Sequence, residues 1–286
     1  MDLLTQKLKK LEKILLEMKS VLIAFSGGVD STFLTVIAQR VLMNKILAVT
    51  AVSQTYPESD LALVKIVVED FGLRHAFVVT GELAEESFSR NPPNRCYYCK
   101  KELFAKLEKI ATEKNIPWVA DGTNFDDTLD FRPGRTAAIE SGVRSPLNEA
   151  QITKAEIRAL SQRLNLASAG KPSSPCLASR FPYGVWITAE KIVQVSEAEK
   201  FLIGLGFREV RVRHHETIAR IEVPPDQIGQ LLRVSKAEAI VSKFKELGYN
   251  YVTLDLEGFR TGSLNETLTA ADKKIWDIPE RTLRNF

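Results

Sequence analysis

The chain has 286 residues, enough for one large domain or two modest ones. Its 44% hydrophobic and 26% charged content is that of a water-soluble globular protein, and no apolar run nears the roughly 18 residues that a membrane helix needs. The net charge of +3, from 39 basic and 36 acidic residues, lacks the strong positive bias of a nucleic-acid binder.

From the start, residues 1–20 alternate Leu and Ile with Lys and Glu at helical spacing, which predicts an amphipathic surface helix. The stretch has no apolar core or small-residue cleavage site of a signal peptide, so the expected compartment is cytoplasmic. Strands are predicted at 21–25, 46–51, 75–79 and 118–121, with helices at about 31–41, 57–71 and 100–114. That alternation predicts an α/β fold: a parallel, doubly wound sheet with helices on both faces. Ligands of such sheets bind at the carboxyl ends of the strands. A loop and then a helix follow at 145–160.

Residues 168–182 are rich in Ser, Pro, Gly and Ala, which marks a linker or a functional loop. Beyond it the pattern gives a helix at 188–205, a hairpin of 209–214 and 217–223, a helix over 225–247 and a strand at 251–256. The order predicts a smaller α+β domain. The expected division is 1–167, a cysteine-bearing loop at 168–184, and 185–286. His214 and His215 fall at the predicted turn, where a surface role is expected.

The first strand runs into Ser26-Gly27-Gly28-Val29-Asp30-Ser31 and then a helix. A Gly-rich turn before a helix N-terminus presents free backbone N–H groups and the positive end of the helix dipole, which suits a phosphate. Ser26 and Ser31 add hydroxyl donors. There is no Lys after the glycines, so this is not a Walker P-loop.

The chain has three cysteines. Cys96-Tyr-Tyr-Cys99 alone is open between zinc ligation, redox chemistry and an iron–sulfur site, with inert packing as a further alternative. Cys176 lies in the Pro/Ser-rich loop, and there is no fourth cysteine to close a structural zinc site. Three thiolates suit a [4Fe–4S] cluster with one open iron. Arg211 and Arg213, two apart on a predicted strand, point to one face, and paired guanidiniums suit a phosphate or carboxylate.

The SGGVDS string resembles the pyrophosphate loop of N-type ATP pyrophosphatases. With it stand the CxxC before Lys100-Lys-Glu-Leu-Phe104, Asp121-Gly-Thr-Asn124, Asp130-Phe-Arg-Pro-Gly134, 175–184 (PCLASRFPYG), Val210-Arg-Val-Arg213 and Asp255-Leu-Glu-Gly-Phe-Arg260. In that order they are similar to the LarE family, ATP-dependent sulfur transferases of nickel-pincer nucleotide biosynthesis, over nearly the whole chain. The resemblance implies ATP contacts at Ala24, Ser26, Gly27, Gly28, Val29, Asp30, Ser31, Ser53 and Gly122, with Asp30 holding Mg²⁺ or the phosphates. It implies Cys96, Cys99 and Cys176 as cluster ligands, with Cys176 also catalytic.

The resemblance further implies a substrate pocket of Ser179, Arg180, Glu199, Arg211, Arg213 and Glu222. The implied substrate is pyridinium-3,5-biscarboxylic acid mononucleotide, whose carboxylates are adenylated and then converted to thiocarboxylates. Some family members lack the CxxC and give up the sulfur of the cysteine at position 176. All three cysteines are present here, which favours the cluster route. Gln230 stands where some members carry an acid, and Asp126, Asp127 and Arg132 either touch substrate or shape a loop. The resemblance also implies a homo-oligomer of hexamer type; the near-neutral charge and the lack of a long apolar run lead us to expect no nucleic acid or membrane partner. The rivals are a PP-loop enzyme that thiolates tRNA, an amide-forming ATP pyrophosphatase, and a non-enzymatic nucleotide or iron–sulfur sensor.

Overall fold

The computed structural model describes residues 2–129, 132–172, 175–269 and 272. Asp130 and Phe131, Ser173 and Ser174, and most of the chain beyond 269 lie outside the described residues.

The elements run α1 (Leu3–Met18), β1 (Val21–Ala24), α2 (Val29–Leu42), β2 (Ile46–Val52), α3 (Glu58–Asp70), β3 (His75–Val79), α4 (Glu86–Ser89), α5 (Arg95–Glu113) and β4 (Val119–Ala120). They continue α6 (Pro133–Glu140), α7 (Pro146–Glu149), α8 (Lys154–Arg163), α9 (Ala189–Gly204), β5 (Arg211–His215), β6 (Ile218–Glu222), α10 (Ile228–Leu231), α11 (Val234–Glu246) and β7 (Tyr251–Leu254). Two compact units result. Residues 2–82 and 96–172 make the first, and 83–95 with 175–269 the second.

The first unit is built on a parallel sheet in the order β3-β2-β1-β4. Alternation along β1 divides its side chains between two apolar layers. Val21 and Ile23 join Leu11 and Leu15 of α1, Phe33 and Ile37 of α2, and Ile157 of α8. Leu22 joins Leu47 and Val49 of β2, Phe104 and Leu107 of α5, and Ala137 of α6. Both faces are covered, as the apolar strands and the βα alternation require. The fourth predicted strand shortens to Val119–Ala120, because Pro117 has no N–H and Asp121 turns its side chain back onto the amide of Thr123 at 3.1 Å. No helix among the described residues is long and apolar enough to cross a membrane.

In the second unit β5 and β6 pair antiparallel and β6 pairs with β7 in parallel. One face of this sheet packs Val212, Ala219 and Ile221 against Ala198 and Leu202 of α9 and Phe244 of α11. Asn91 ties the 83–95 segment into the unit: its amide nitrogen donates to the carbonyls of Phe181 (3.2 Å) and Pro182 (2.7 Å), and its own carbonyl accepts from Gly184 N at 2.9 Å.

Two expectations are corrected here. The helix expected over 225–247 is broken: a 3-10 turn at Pro225–Gln227, then α10, then α11 after Arg233, whose backbone is extended at φ −60°, ψ 130°. Pro224 and Pro225 supply no N–H to carry a helix through them. His214 is not a surface residue. Strand β5 extends through His215, so alternation turns His214 inward, where it is 2% exposed and lies 3.2 Å from the Tyr249 hydroxyl through Nδ1.

Burial lowers the His214 pKa from 6.5 to about 4, with the nearby Lys191 charge adding to the effect. The folded chain therefore keeps His214 neutral where the unfolded chain takes up a proton. Stability is fully present above pH 6.5 and is lost as pH falls toward 4. The expected contribution is on the order of 2 kcal/mol between about pH 7 and about pH 4.5. Urea unfolding of the wild type and His214→Phe at both pH values checks it: the wild type is to lose more stability on acidification. Equal losses would remove His214 as the cause.

Candidate functional site

The first site lies where β1 ends. Gly27 takes φ +66°, and a Cβ there would meet Val64 Cγ2 at 2.8 Å, so only glycine fits the turn without strain. Gly28 caps α2 in extended backbone with no side-chain cap of its own. The amides of the first turn of α2 have no intrahelical acceptors and face outward at the positive end of the dipole.

Two serines brace the loop: Ser26 Oγ lies 3.1 Å from Ser31 Oγ, Ser26 N donates to Ser31 Oγ at 3.2 Å, and the Ser31 hydroxyl donates to Gly28 O at 3.2 Å. The Tyr56 hydroxyl donates to Ser26 O at 2.6 Å. Burial, helped by the Asp60 charge, holds that phenol well above its ordinary range, so it stays a donor.

Gly122, after β4, is pressed against this turn, and a Cβ there would stand 2.9 Å from Ser31 N and 3.1 Å from its Cα. Gly122→Ala is expected to push Ser31 out of line and weaken binding of the ATP that the sequence leads us to expect here about tenfold. Calorimetric titration with a non-hydrolysable ATP analogue reads it directly, and an unchanged Kd would show the loop to be indifferent to this contact.

Ser53, one residue beyond β2, donates to Glu82 Oε1 at 2.5 Å, as does Thr55 at 2.6 Å. Glu82 is 3% exposed. Asp30 at the start of α2 is ion-paired with Lys154 at the start of α8, and its Oδ1 is buried without a hydrogen-bond partner. Asp126 accepts from Lys154 N at 2.8 Å, and Asp127 accepts from Asn124 N at 3.0 Å while pairing with Arg132 at 2.9 Å. Asp126 and Asp127 thus shape the loop beside Asp30. Burial raises the Asp127 pKa against the lowering effect of Arg132.

Lys154 and Glu82 carry no signal of their own in the sequence. Nothing local shows a lysine at a helix start reaching an aspartate 124 positions earlier. Ala24, Val29, Asp30 and Ser31 fall together on this rim with the two glycines, and Ser53 stands at the end of the adjacent strand.

Cys96 and Cys99 sit in the first turn of α5, three apart and so on one face of the helix, with Cys96 exposed and Cys99 partly so. Neither they nor Cys176 is in a disulfide. Within either unit, no three His, Cys, Asp or Glu side chains among the described residues are grouped to hold a metal ion.

The second site belongs to the other unit. Cys176 precedes a 3-10 turn, Leu177–Arg180, and its carbonyl accepts from Ser179 N at 3.0 Å. Arg180 is buried and donates through both Nε and Nη2 to Glu199 of α9 at 2.9 Å, and through Nη1 to the carbonyls of Pro175 (2.8 Å) and Cys176 (3.3 Å) and to Ser179 Oγ (2.9 Å). Glu199 also accepts from Val212 N at 2.9 Å.

On β5, Arg213 is bidentate to Glu222 at 2.9 and 2.7 Å and reaches Ser179 O at 2.8 Å and Ser263 Oγ at 2.9 Å. Arg211 donates to Val210 O at 2.7 Å and lies 5.0 Å from the Phe259 ring centre. Burial, then the like charges of Arg180 and Arg213, lower its pKa to about 10. Ser179, Arg180, Glu199, Arg213 and Glu222 are thus linked by hydrogen bonds, Ser179 and Arg180 also reach the Cys176 carbonyl, and Arg211 adds its charge beside Arg180 and Arg213. Gln230 is in α10.

The parallel sheet with a glycine-rich pyrophosphate loop at its first strand end defines a PP-loop ATP pyrophosphatase. The asparagine synthase family model matches residues 12–95, which hold that loop. A glutamine-hydrolysing GMP synthase chain of Archaeoglobus fulgidus is 28% identical over 63% of each chain. Over 95% of this chain and 98% of its own length, the pyridinium-3,5-bisthiocarboxylic acid mononucleotide synthase of Lactiplantibacillus plantarum is 39% identical. An uncharacterized protein of Synechocystis is 45% identical over 93% of this chain and all of its own. The chain belongs to the family of that synthase, the LarE family, and is an ATP pyrophosphatase-type sulfurtransferase.

Proposed function

We propose that this enzyme adenylates the carboxylates of pyridinium-3,5-biscarboxylic acid mononucleotide and converts them to thiocarboxylates. The observation that carries this reading is the 39% identity to the synthase over 95% of the chain. A substrate carboxylate oxygen attacks the α-phosphorus of ATP, the bond to the β-phosphate oxygen breaks, and pyrophosphate leaves. The amides at the start of α2 and the Ser26 and Ser31 hydroxyls receive the phosphate charge. The orphaned Asp30 Oδ1 fits a hard cation that takes carboxylate oxygen: Asp30 would hold Mg²⁺, which when bound would supply positive charge opposite the pyrophosphate. A sulfur nucleophile then attacks the acyl carbon, the C–O bond to AMP breaks, and the thiocarboxylate remains.

Cys96, Cys99 and Cys176, all outside any disulfide, are thiols of the soft donor type that a [4Fe–4S] cluster takes, and when bound such a cluster offers an open iron for a further sulfide. In the second reading the Cys176 thiolate displaces AMP to form a thioester, and loss of the Cys176 Cα proton to a base then breaks the Cβ–S bond, leaving dehydroalanine at 176 and the thiocarboxylate on the substrate. Common to both, Arg180 fixes the Cys176 backbone through its carbonyl, and buried Glu199 fixes Arg180.

Anaerobic incubation with Mg-ATP and the dicarboxylate tests the function. The expected products are AMP and pyrophosphate in equal amounts and a nucleotide whose mass shows oxygen replaced by sulfur. Release of ADP, or turnover indifferent to the dicarboxylate, would contradict it.

A further inference from the structure

The sheet of the second unit has one polar face. Register pairs Arg211 with Glu222 and Arg213 with Arg220, and Arg220 with Thr253 of β7. These side chains share the face opposite Val212, Ala219 and Ile221.

The arginines there are not equivalent. Arg180 and Arg213 are 3% and 8% exposed, and each is bidentate to a carboxylate while donating to further backbone or hydroxyl acceptors. They frame the site. Arg220 is 39% exposed. Its one hydrogen bond among the described residues runs from Nη2 to Glu222 Oε1 at 3.2 Å, a carboxylate that Arg213 already holds through both oxygens. Its Nε is buried without a hydrogen-bond partner, with Asp255 Oδ2 3.6 Å away, and Asp255 also faces Arg260 at 3.7 Å. A guanidinium has five N–H donors in a planar fork. Arg220 thus offers donors, solvent access and a charge that its two shared carboxylates only partly offset.

We propose that Arg220 binds the phosphate monoester of the nucleotide substrate; the assignment rests on the reading under Proposed function. Each pyridinium carboxylate is consumed in turn by adenylation, so neither keeps a standing ionic contact through both rounds. The phosphate is unchanged throughout and is the group that a fixed cation holds. Fork geometry suits a tetrahedral dianion, and a part-exposed position spares that dianion full desolvation before it is paired.

The test measures pyrophosphate release by wild type, Arg220→Met and Arg220→Lys with the mononucleotide and with its dephosphorylated riboside. In the wild type, removing the phosphate is to lower kcat/KM about 30-fold, mainly through KM. In Arg220→Met that preference is to fall to about threefold or less, with the KM for ATP unchanged and Arg220→Lys intermediate. Should Arg220→Met fold poorly by thermal unfolding, Arg220→Lys carries the same comparison. A variant that loses equally on both substrates, or keeps the full preference, overturns the assignment and leaves the proposed function standing. Wild type inert toward the mononucleotide overturns both.

Discussion

Cys176→Ala is expected to abolish thiocarboxylate formation, by at least ~10³-fold, while the rate of substrate-dependent pyrophosphate release in the first turnover stays within a few-fold of wild type. The reasons are chemical and local. The residues proposed for adenylation, the loop between β1 and α2, Asp30 and Gly122 packed against Ser31, all lie in the first unit. Cys176 makes no part of that loop. Its carbonyl accepts from Ser179 N and Arg180 Nη1, so removing its sulfur leaves those backbone hydrogen bonds in place. What is lost is a partly exposed thiol, while the neighbouring Leu177, Ala178 and Phe181 carry the buried packing of the turn, and both sulfur routes need that thiol. Quenched-flow product analysis separates the steps: the acyl-adenylate, AMP joined to the substrate carboxyl as a mixed anhydride, is to accumulate in the variant. Thiocarboxylate formed at the wild-type rate would take sulfur transfer away from Cys176.

The second large effect is on stability. Glu199→Leu is expected to cost about 3–5 kcal/mol. Glu199 and Arg180 are 9% and 3% exposed, and the carboxylate also satisfies Val212 N. Truncating it leaves a buried guanidinium without its counter-ion and a strand amide without its acceptor. The double variant Arg180→Met/Glu199→Leu is expected to recover much of the loss, because it removes the stranded charge along with its partner. Urea unfolding with matched m-values measures both. A Glu199→Leu cost below about 1 kcal/mol, or a double variant weaker than the single one, would mean the pair is solvated rather than buried.

Much of the fold is legible along the chain because its signals are local. β1 to β3 are apolar runs between turn residues, α5 has a helical stripe, and the glycine loop lies between a strand and a helix. Two of the boundaries that differ from expectation do so where prolines interrupt the pattern, at 224–225 in the helix and at Pro117 before the strand beginning near Trp118, while α5 starts five residues early at Arg95 and β7 ends at Leu254. His214 faces the core rather than solvent because it lies inside β5, two residues from Val212 and so on the same buried face.

The site is legible as a set of positions but not as a set of bonds. Arg180 and Arg213 suggest an anion pocket, yet their counter-ions, Glu199 and Glu222, come from α9 and from β6, the partner strand. Lys154 on Asp30 and Glu82 under Ser53 are likewise pairings across the fold, which neither periodicity nor motif spacing encodes. Arg220, an ordinary polar residue of an alternating strand in the sequence, stands out only when its neighbours' donors are all assigned.

Sulfur supply through a cluster bound by the three cysteines is tested most directly by iron and acid-labile sulfide analysis of enzyme purified without oxygen. About four irons and about four or five sulfides per chain are expected, and both are to be lost in Cys176→Ala. Iron-free enzyme that still makes thiocarboxylate, with Cys176 lighter by one H₂S after a single turnover, would contradict the cluster route and make that cysteine the sulfur donor.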